Sequence, residues 1–169
     1  MKILTIEEKK EEKFLRRKTA DFDFSKFTRK EIDELVRKMR EVMKRAPGIG
    51  LAANQVGCDF SVFVAQIPKS RDRGSDEKFY AIFNPKITKY SAEKSVSEEG
   101  CLSVPGGVYG AVERSSKIVL EGFDKKNKKI KIKAWGLLAR VFQHETDHLN
   151  GKLFVDRTKN IYKVENPKR

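Results

Sequence analysis

At 169 residues, 38% of them apolar, the chain can bury one sizeable core, and a single domain over residues 1–169 is expected. No run approaches the roughly 18 apolar residues a membrane span needs, and the opening residues pass straight into the charged stretch 7–13, unlike a secretory start. A net charge of +13 suits attraction to RNA, but the basic residues are scattered among Glu and Asp and no nucleic-acid motif appears, so sequence-specific nucleic-acid binding is not expected.

Taken in chain order, residues 7–27 form a densely charged opening whose path the sequence does not define. Thr28 and Glu31 then have capping-box spacing, and Ile32, Leu35, Val36, Met39, Val42 and Met43 recur with helical period. That helix should stop near Ala46, Pro47 and Gly48. Glycines at 48, 50 and 57, set among small apolar residues, read as a tight backbone path beside another group. They lack the spacing and the Lys-Ser/Thr ending of a phosphate cradle. Gln55 is the side chain there that can donate a hydrogen bond without adding charge.

Residues 61–67 and 79–88 read as strands separated by a polar loop at 70–76. In the stretch 98–106, Gly100 lets backbone approach a ligand beside Cys101, and Pro105-Gly106 should end the extended run. Residues 117–123 and 130–135 make a hairpin whose tip, 125–129, reads as a solvated lysine cluster. A second helix should run from about Gly136 to the stop signal Asn150-Gly151. The tail after Phe154 is short, polar and contains Pro167. The fold class expected is α+β, with antiparallel strands packed around a central helix.

That second helix carries the most specific signal. His144 and His148, the only histidines, are four residues apart and so share one helix face, where both can grip one metal ion. Glu145 is placed to exchange protons with water at such an ion. In metzincin-type proteases a third histidine follows by six residues, but here that position is Phe154. The third ligand must then be Cys, Asp or Glu, and the cysteines are Cys58 and Cys101. Cys58, entering a strand, also has the ordinary reading of a small buried hydrophobe. With no secretory signal, two cysteines fit a reducing cytoplasm better than a disulfide.

Three segments together resemble the peptide deformylase family: GIGLAANQVG at 48–57, EEGCLSVPG at 98–106 and QHETDHLNG at 143–151. Their order and separations fit over nearly the whole chain. The resemblance implies that Cys101, His144 and His148 bind one divalent metal ion, with water in the fourth position. The ion is usually ferrous iron in the family, and zinc, nickel or cobalt suit the same ligands. It further implies Glu145 as the general base that passes a proton to the departing amine. The Leu102 N–H and the Gln55 amide would hold the oxyanion. The backbone at Ile49, Gly50 and Gly100 would pair with an extended peptide like an added strand.

The implied substrate is the N-terminal formyl-methionine of newly made polypeptides in the cytoplasm, with no membrane partner. Candidates for the methionine pocket are Ile49, Leu137, Val141, Phe142 and the alkyl part of Arg140, while Leu138 and Phe142 also suit an ordinary helix core. Transient ribosome contact fits the basic charge. The tail, however, does not look like the long C-terminal helix that some members use for docking. A zinc peptidase that cleaves internal bonds is the rival activity. A catalytically dead binding protein is the other rival, but it would lack a residue that this chain retains.

Overall fold

The computed structural model describes residues 1–67 and 78–164. The expected loop at 70–76 and Pro167, Lys168 and Arg169 of the tail lie outside the described residues. Among the described residues three α-helices, α1 (Lys9–Leu15), α2 (Arg29–Arg45) and α3 (Gly136–Leu149), accompany eight strands. These are β1 (Gly50–Ala52), β2 (Val62–Ile67), β3 (Lys78–Tyr90), β4 (Lys94–Cys101), β5 (Val104–Ser115), β6 (Lys117–Phe123), β7 (Lys129–Trp135) and β8 (Ile161–Lys163). One sheet has the order β1-β2-β3-β6-β7 and the other β4-β5-β8, and every pairing within them is antiparallel.

The local signals explain much of this. Thr28 accepts from the Glu31 N–H and Glu31 accepts from the Thr28 N–H, a closed capping box that starts α2 where expected. The helix then buries Ile32, Val36, Met39, Val42 and Met43. The hairpin forms as β6 and β7, with the Asp124 carboxylate accepting from the Lys126 and Lys128 N–H groups at its tip. α3 ends at Leu149 with Asn150 as its C-cap, and Gly151 has a φ of +71°. A Cβ there would lie 2.3 Å from the Arg16 carbonyl, so the helix stop also fixes the N-terminal segment.

β2 is buried on both faces, which is why its run is apolar without alternation. Val62 and Val64 pack with α2 and Phe83, whereas Phe63 and Ala65 pack with Phe142 of α3 and with Ile118 and Leu120. α3 touches strands of both sheets. The charged opening segment, undefined in sequence, is pinned by short bridges. The Thr19 N–H donates to the Leu149 carbonyl and the Phe22 N–H to Asn84 Oδ1, and Phe22 stacks among Phe24, Phe27, Phe60 and Phe83.

One expectation is corrected. The extended run does not end at Pro105-Gly106: the chain turns at Leu102 and Ser103, and β5 continues through Pro105 to Ser115. Pro105 is tolerated there because it lies between the Val104 and Tyr109 pairings, at an irregularity of the ladder that asks for no N–H. The tail contributes β8, which adds a third strand beside β5. Three residues are too few to carry an alternating pattern, and an edge strand needs only backbone partners.

Candidate metal centre

The turn after β4 and the middle of α3 meet at one point. Cys101 closes β4, and His144 and His148 are one helical turn apart on α3. The Cys101 Sγ is 3.1 Å from His148 Nε2, which is 3.2 Å from His144 Nε2, and the three donor atoms lie within 4.8 Å of one another. Ligands held tetrahedrally around an ion at 2.0–2.3 Å stand roughly 3.5 Å apart, so the set fits a small cation. His144 Nδ1 is 2.9 Å from Glu99 Oε2, so a ring with its proton on Nδ1 would offer its Nε2 lone pair to an ion. His148 is fully buried, and burial holds it neutral, well below the ordinary histidine range. Three such atoms at this spacing need a shared proton or a cation between them, and the donor set suits a cation.

Around this point the other expected residues are placed as follows. Glu145 is 3% exposed, and burial pushes its carboxyl up to about 7. One of its oxygens, Oε2, has no hydrogen-bond partner among the described residues. Gln55 is locked by its Oε1, which accepts from the Ala52 N–H at 2.9 Å. Its Nε2 is thereby turned toward Ser103 Oγ (3.1 Å) and Cys101 Sγ (3.6 Å). Leu102, Ile49, Gly50 and Gly100 line the same cavity, of about 610 Å³, as do Cys101, His144 and Glu145.

β1 and β4 are both edge strands of their sheets, and both border this cavity. The Ile49 carbonyl accepts from the Gln66 N–H at 2.9 Å. By antiparallel alternation the N–H and carbonyl of the next residue, Gly50, point away from β2 toward the open edge. Gly50 also admits Glu145: a Cβ at Gly50 would stand 2.2 Å from Glu145 Oε1. At Gly100 a Cβ would meet the Tyr109 ring at 2.8 Å. Of the methionine-pocket candidates, Ile49, Leu137, Val141 and Arg140 line the cavity. Phe142 is fully buried against Phe63 and Tyr80, and Leu138 packs on that same core, as their ordinary reading has it.

The structure brings Cys101, and not Cys58, to the histidines. Cys58 packs against the α2 core, and burial raises its thiol pKa. Sequence reasoning missed the buried charges behind His144. Glu99 accepts from Arg114 Nε at 2.6 Å and Nη2 at 2.8 Å, and from Arg140 Nη1 at 2.7 Å. Arg114 also donates to Asp147 at 2.8 Å, and Asp147 is clasped by Arg157. Burial opposes the charge on Glu99, but the bonds from Arg114 and His144 win and hold its carboxyl well below the ordinary range. The available signal was Arg114, a lone arginine in a strand, and the acids Glu99 and Asp147 inside the motifs. Only packing joins them. Arg140, expected to offer its alkyl part, instead has its guanidinium buried on Glu99 and on the Val112 and Ser95 carbonyls.

Comparison with known proteins decides the family. Residues 1–164 match the pattern of the polypeptide deformylase family. The chain belongs to the peptide deformylase family. It is 44% identical to the peptide deformylase of Rhizobium meliloti over 126 residues, 75% of this chain and 70% of that one. Its structure is similar to a probable peptide deformylase from Synechococcus phage S-SSM7, with a TM-score of 0.80, 42% identity and coverage of 94% and 99% of the two chains. It is also similar to the Met-Ala-Ser-bound enzyme of Acinetobacter baumannii, with a TM-score of 0.82, 30% identity and coverage of 94% and 98%. Peptide deformylases are metal-dependent hydrolases that remove N-terminal formyl groups, and this chain is an enzyme of that kind. Among the described residues no helix is long and apolar enough to cross a membrane.

Proposed function

We propose that residues 1–169 form one catalytic domain that takes formate from the formyl-methionine of newly synthesised polypeptides in the cytoplasm, with Cys101, His144 and His148 as ligands of one divalent ion on a central helix. Ferrous iron is the proposed native ion, and zinc, nickel and cobalt suit the same donors. When bound, such an ion would act as a Lewis acid that lowers the pKa of water from 15.7 toward about 7. The observation that carries the reading is the convergence of the three donors beside Glu145, in a cavity bounded by two open strand edges.

In this reading the peptide lies extended between β1 and β4, pairing with the backbone at Ile49, Gly50 and Gly100. Its methionine side chain packs on Ile49, Leu137 and Val141. The formyl oxygen faces the Gln55 Nε2 and the Leu102 N–H, and each such donor contributes about 3 kcal/mol to holding an oxyanion. The Gln55 bond to Ala52 fixes that amide before substrate arrives. Glu145 takes a proton on its unpartnered carboxylate oxygen and hands it to the leaving amine, a role that a carboxyl pushed toward about 7 can fill in both directions. Glu99 and Arg114 hold the His144 ring in its tautomer. Transient contact with the ribosome is part of the proposal, since the substrate emerges there.

The test is formate release from formyl-Met-Ala-Ser, using protein loaded anaerobically with iron(II) or nickel(II). Release with the peptide bonds intact is expected. Internal cleavage of unblocked peptides without formate release would replace this reading with a peptidase.

A further inference from the structure

The five-stranded sheet has one face packed on α3 through Phe63, Ile118, Leu120 and Ala134. On the other face α2 lies against β1 and β2, and the phenylalanines of the N-terminal segment reach Phe83 and Phe123. Beyond them, the end of β3 with β6 and β7 is left bare, and its outward side chains are mostly lysine. Directly paired residues of antiparallel strands share a face. The register therefore puts Lys86, Glu121 and Lys131 in one row, Lys89, Val119 and Lys133 in a second, and Lys117 beside Trp135 in a third. Lys129, opposite Phe123, extends the same face toward the hairpin tip.

Glu121 is the one acid among these six lysines. Its carboxyl is lowered by the bond from Lys131 and by the nearby charges of Lys86 and Lys129. Among the described residues Lys129 and Lys133 have no ion-pair partner. Alternate residues along β7 stand roughly 7 Å apart and adjacent strands about 4.8 Å apart, a grid close to the step between successive phosphates of a polynucleotide strand. Gathering this much like charge on one bare face is unfavourable without a polyanion to neutralise it. Trp135, 61% exposed, ends β7 two residues before Leu137 at the cavity wall, so an exposed aromatic plane completes the lysine face on the side of the site.

We propose that the lysine face of β3, β6 and β7 docks on the phosphate backbone of RNA. The choice of RNA rests on the proposed function, which sets the enzyme to work where chains are made. A membrane surface fits less well, because among the described residues Trp135 is the one large exposed apolar side chain on this face and an interfacial surface needs a broad apolar side. The contact is with backbone charge and reads no sequence.

The test is anisotropy of a labelled mixed-sequence RNA hairpin titrated with the metal-loaded enzyme over a range of salt. The face variant Lys86→Gln/Lys129→Gln/Lys133→Gln is compared with Lys9→Gln/Lys10→Gln/Lys13→Gln on α1, which removes the same charge elsewhere. The face variant should bind at least about tenfold more weakly, with a salt slope shallower by about 1 per lysine removed, while the α1 variant changes little. Both should release formate from a free formylated tripeptide at the wild-type rate, which verifies that the fold is intact. Equal losses in the two variants, or no RNA binding by the wild type, would overturn the assignment. So would a face variant that keeps RNA but loses phosphatidylglycerol vesicles. RNA binding is read without substrate, so a wild type that binds RNA but releases no formate would strike the proposed activity alone.

Discussion

Gly50→Ala tests the site by geometry alone. The backbone angles at Gly50 are ones alanine adopts, so the substitution adds a methyl group without φ strain. That methyl would stand 2.2 Å from Glu145 Oε1, 2.8 Å from its Cδ and 3.1 Å from its Cγ, against an ordinary contact of at least 3.4 Å. The carboxylate and β1 must separate by more than 1 Å, and Glu145, at 3% exposure, has little room to swing. A displacement of about 1 Å in a group that transfers protons costs about 100-fold in rate. The added volume should also destabilise the fold by about 1–3 kcal/mol. The metal ligands are untouched. The assay is kcat for formate release at saturating formyl-Met-Ala-Ser, with metal content measured on the same sample. A variant that holds its metal and turns over within about threefold of wild type would refute the claim that Gly50 exists to admit Glu145.

Glu145→Gln should keep the metal and lose about 10²–10⁴ in turnover, since the ligands remain and the proton carrier is gone; metal retention with undiminished turnover would remove Glu145 from the mechanism. Cys101→Ser should weaken metal binding or change ion preference, whereas Cys58→Ser should not, and metal analysis showing the reverse would void the ligand assignment. Glu99→Gln leaves buried Arg114 and Arg140 short of charge and should cost about 3–5 kcal/mol at neutral pH, with metal affinity down about 10–100-fold. The folded-state pKa of Glu99 is depressed below its ordinary 4.5, so its stabilisation is present above that pH and is lost as pH falls through the lower, folded value. Denaturant titrations should therefore show the gap between wild type and Glu99→Gln narrowing as pH falls below about 4.5, and a gap that stays constant with pH would contradict the assignment.

What could be read from the chain was local. The capping box at Thr28 and Glu31, the hairpin, and the helix from Gly136 to Asn150 rest on neighbours within a few residues, where propensity and periodicity act directly. The pairing of His144 with His148 was legible for the same reason, because helical spacing alone puts them on one face. The third donor was not fixed by spacing. Cys101 and Cys58 differed only in motif until the turn at Leu102 and Ser103 carried one sulfur to within 3.1 Å of His148. The β8 strand and the course of residues 7–27 were hidden because backbone partners far along the chain define them, and their side chains carry little periodic signal.

By itself, then, the sequence determined α2 and α3, the hairpin and a histidine pair with a glutamate beside it, since each depends on short-range geometry that the residue types dictate. Only the tertiary structure decided that Glu99, Arg114 and Asp147 form one buried chain behind His144, that Gly50 makes room for Glu145, and that lysines scattered along three strands share one bare face. Those are products of register and packing, which join residues up to 95 positions apart, and no local pattern encodes which distant partners will meet.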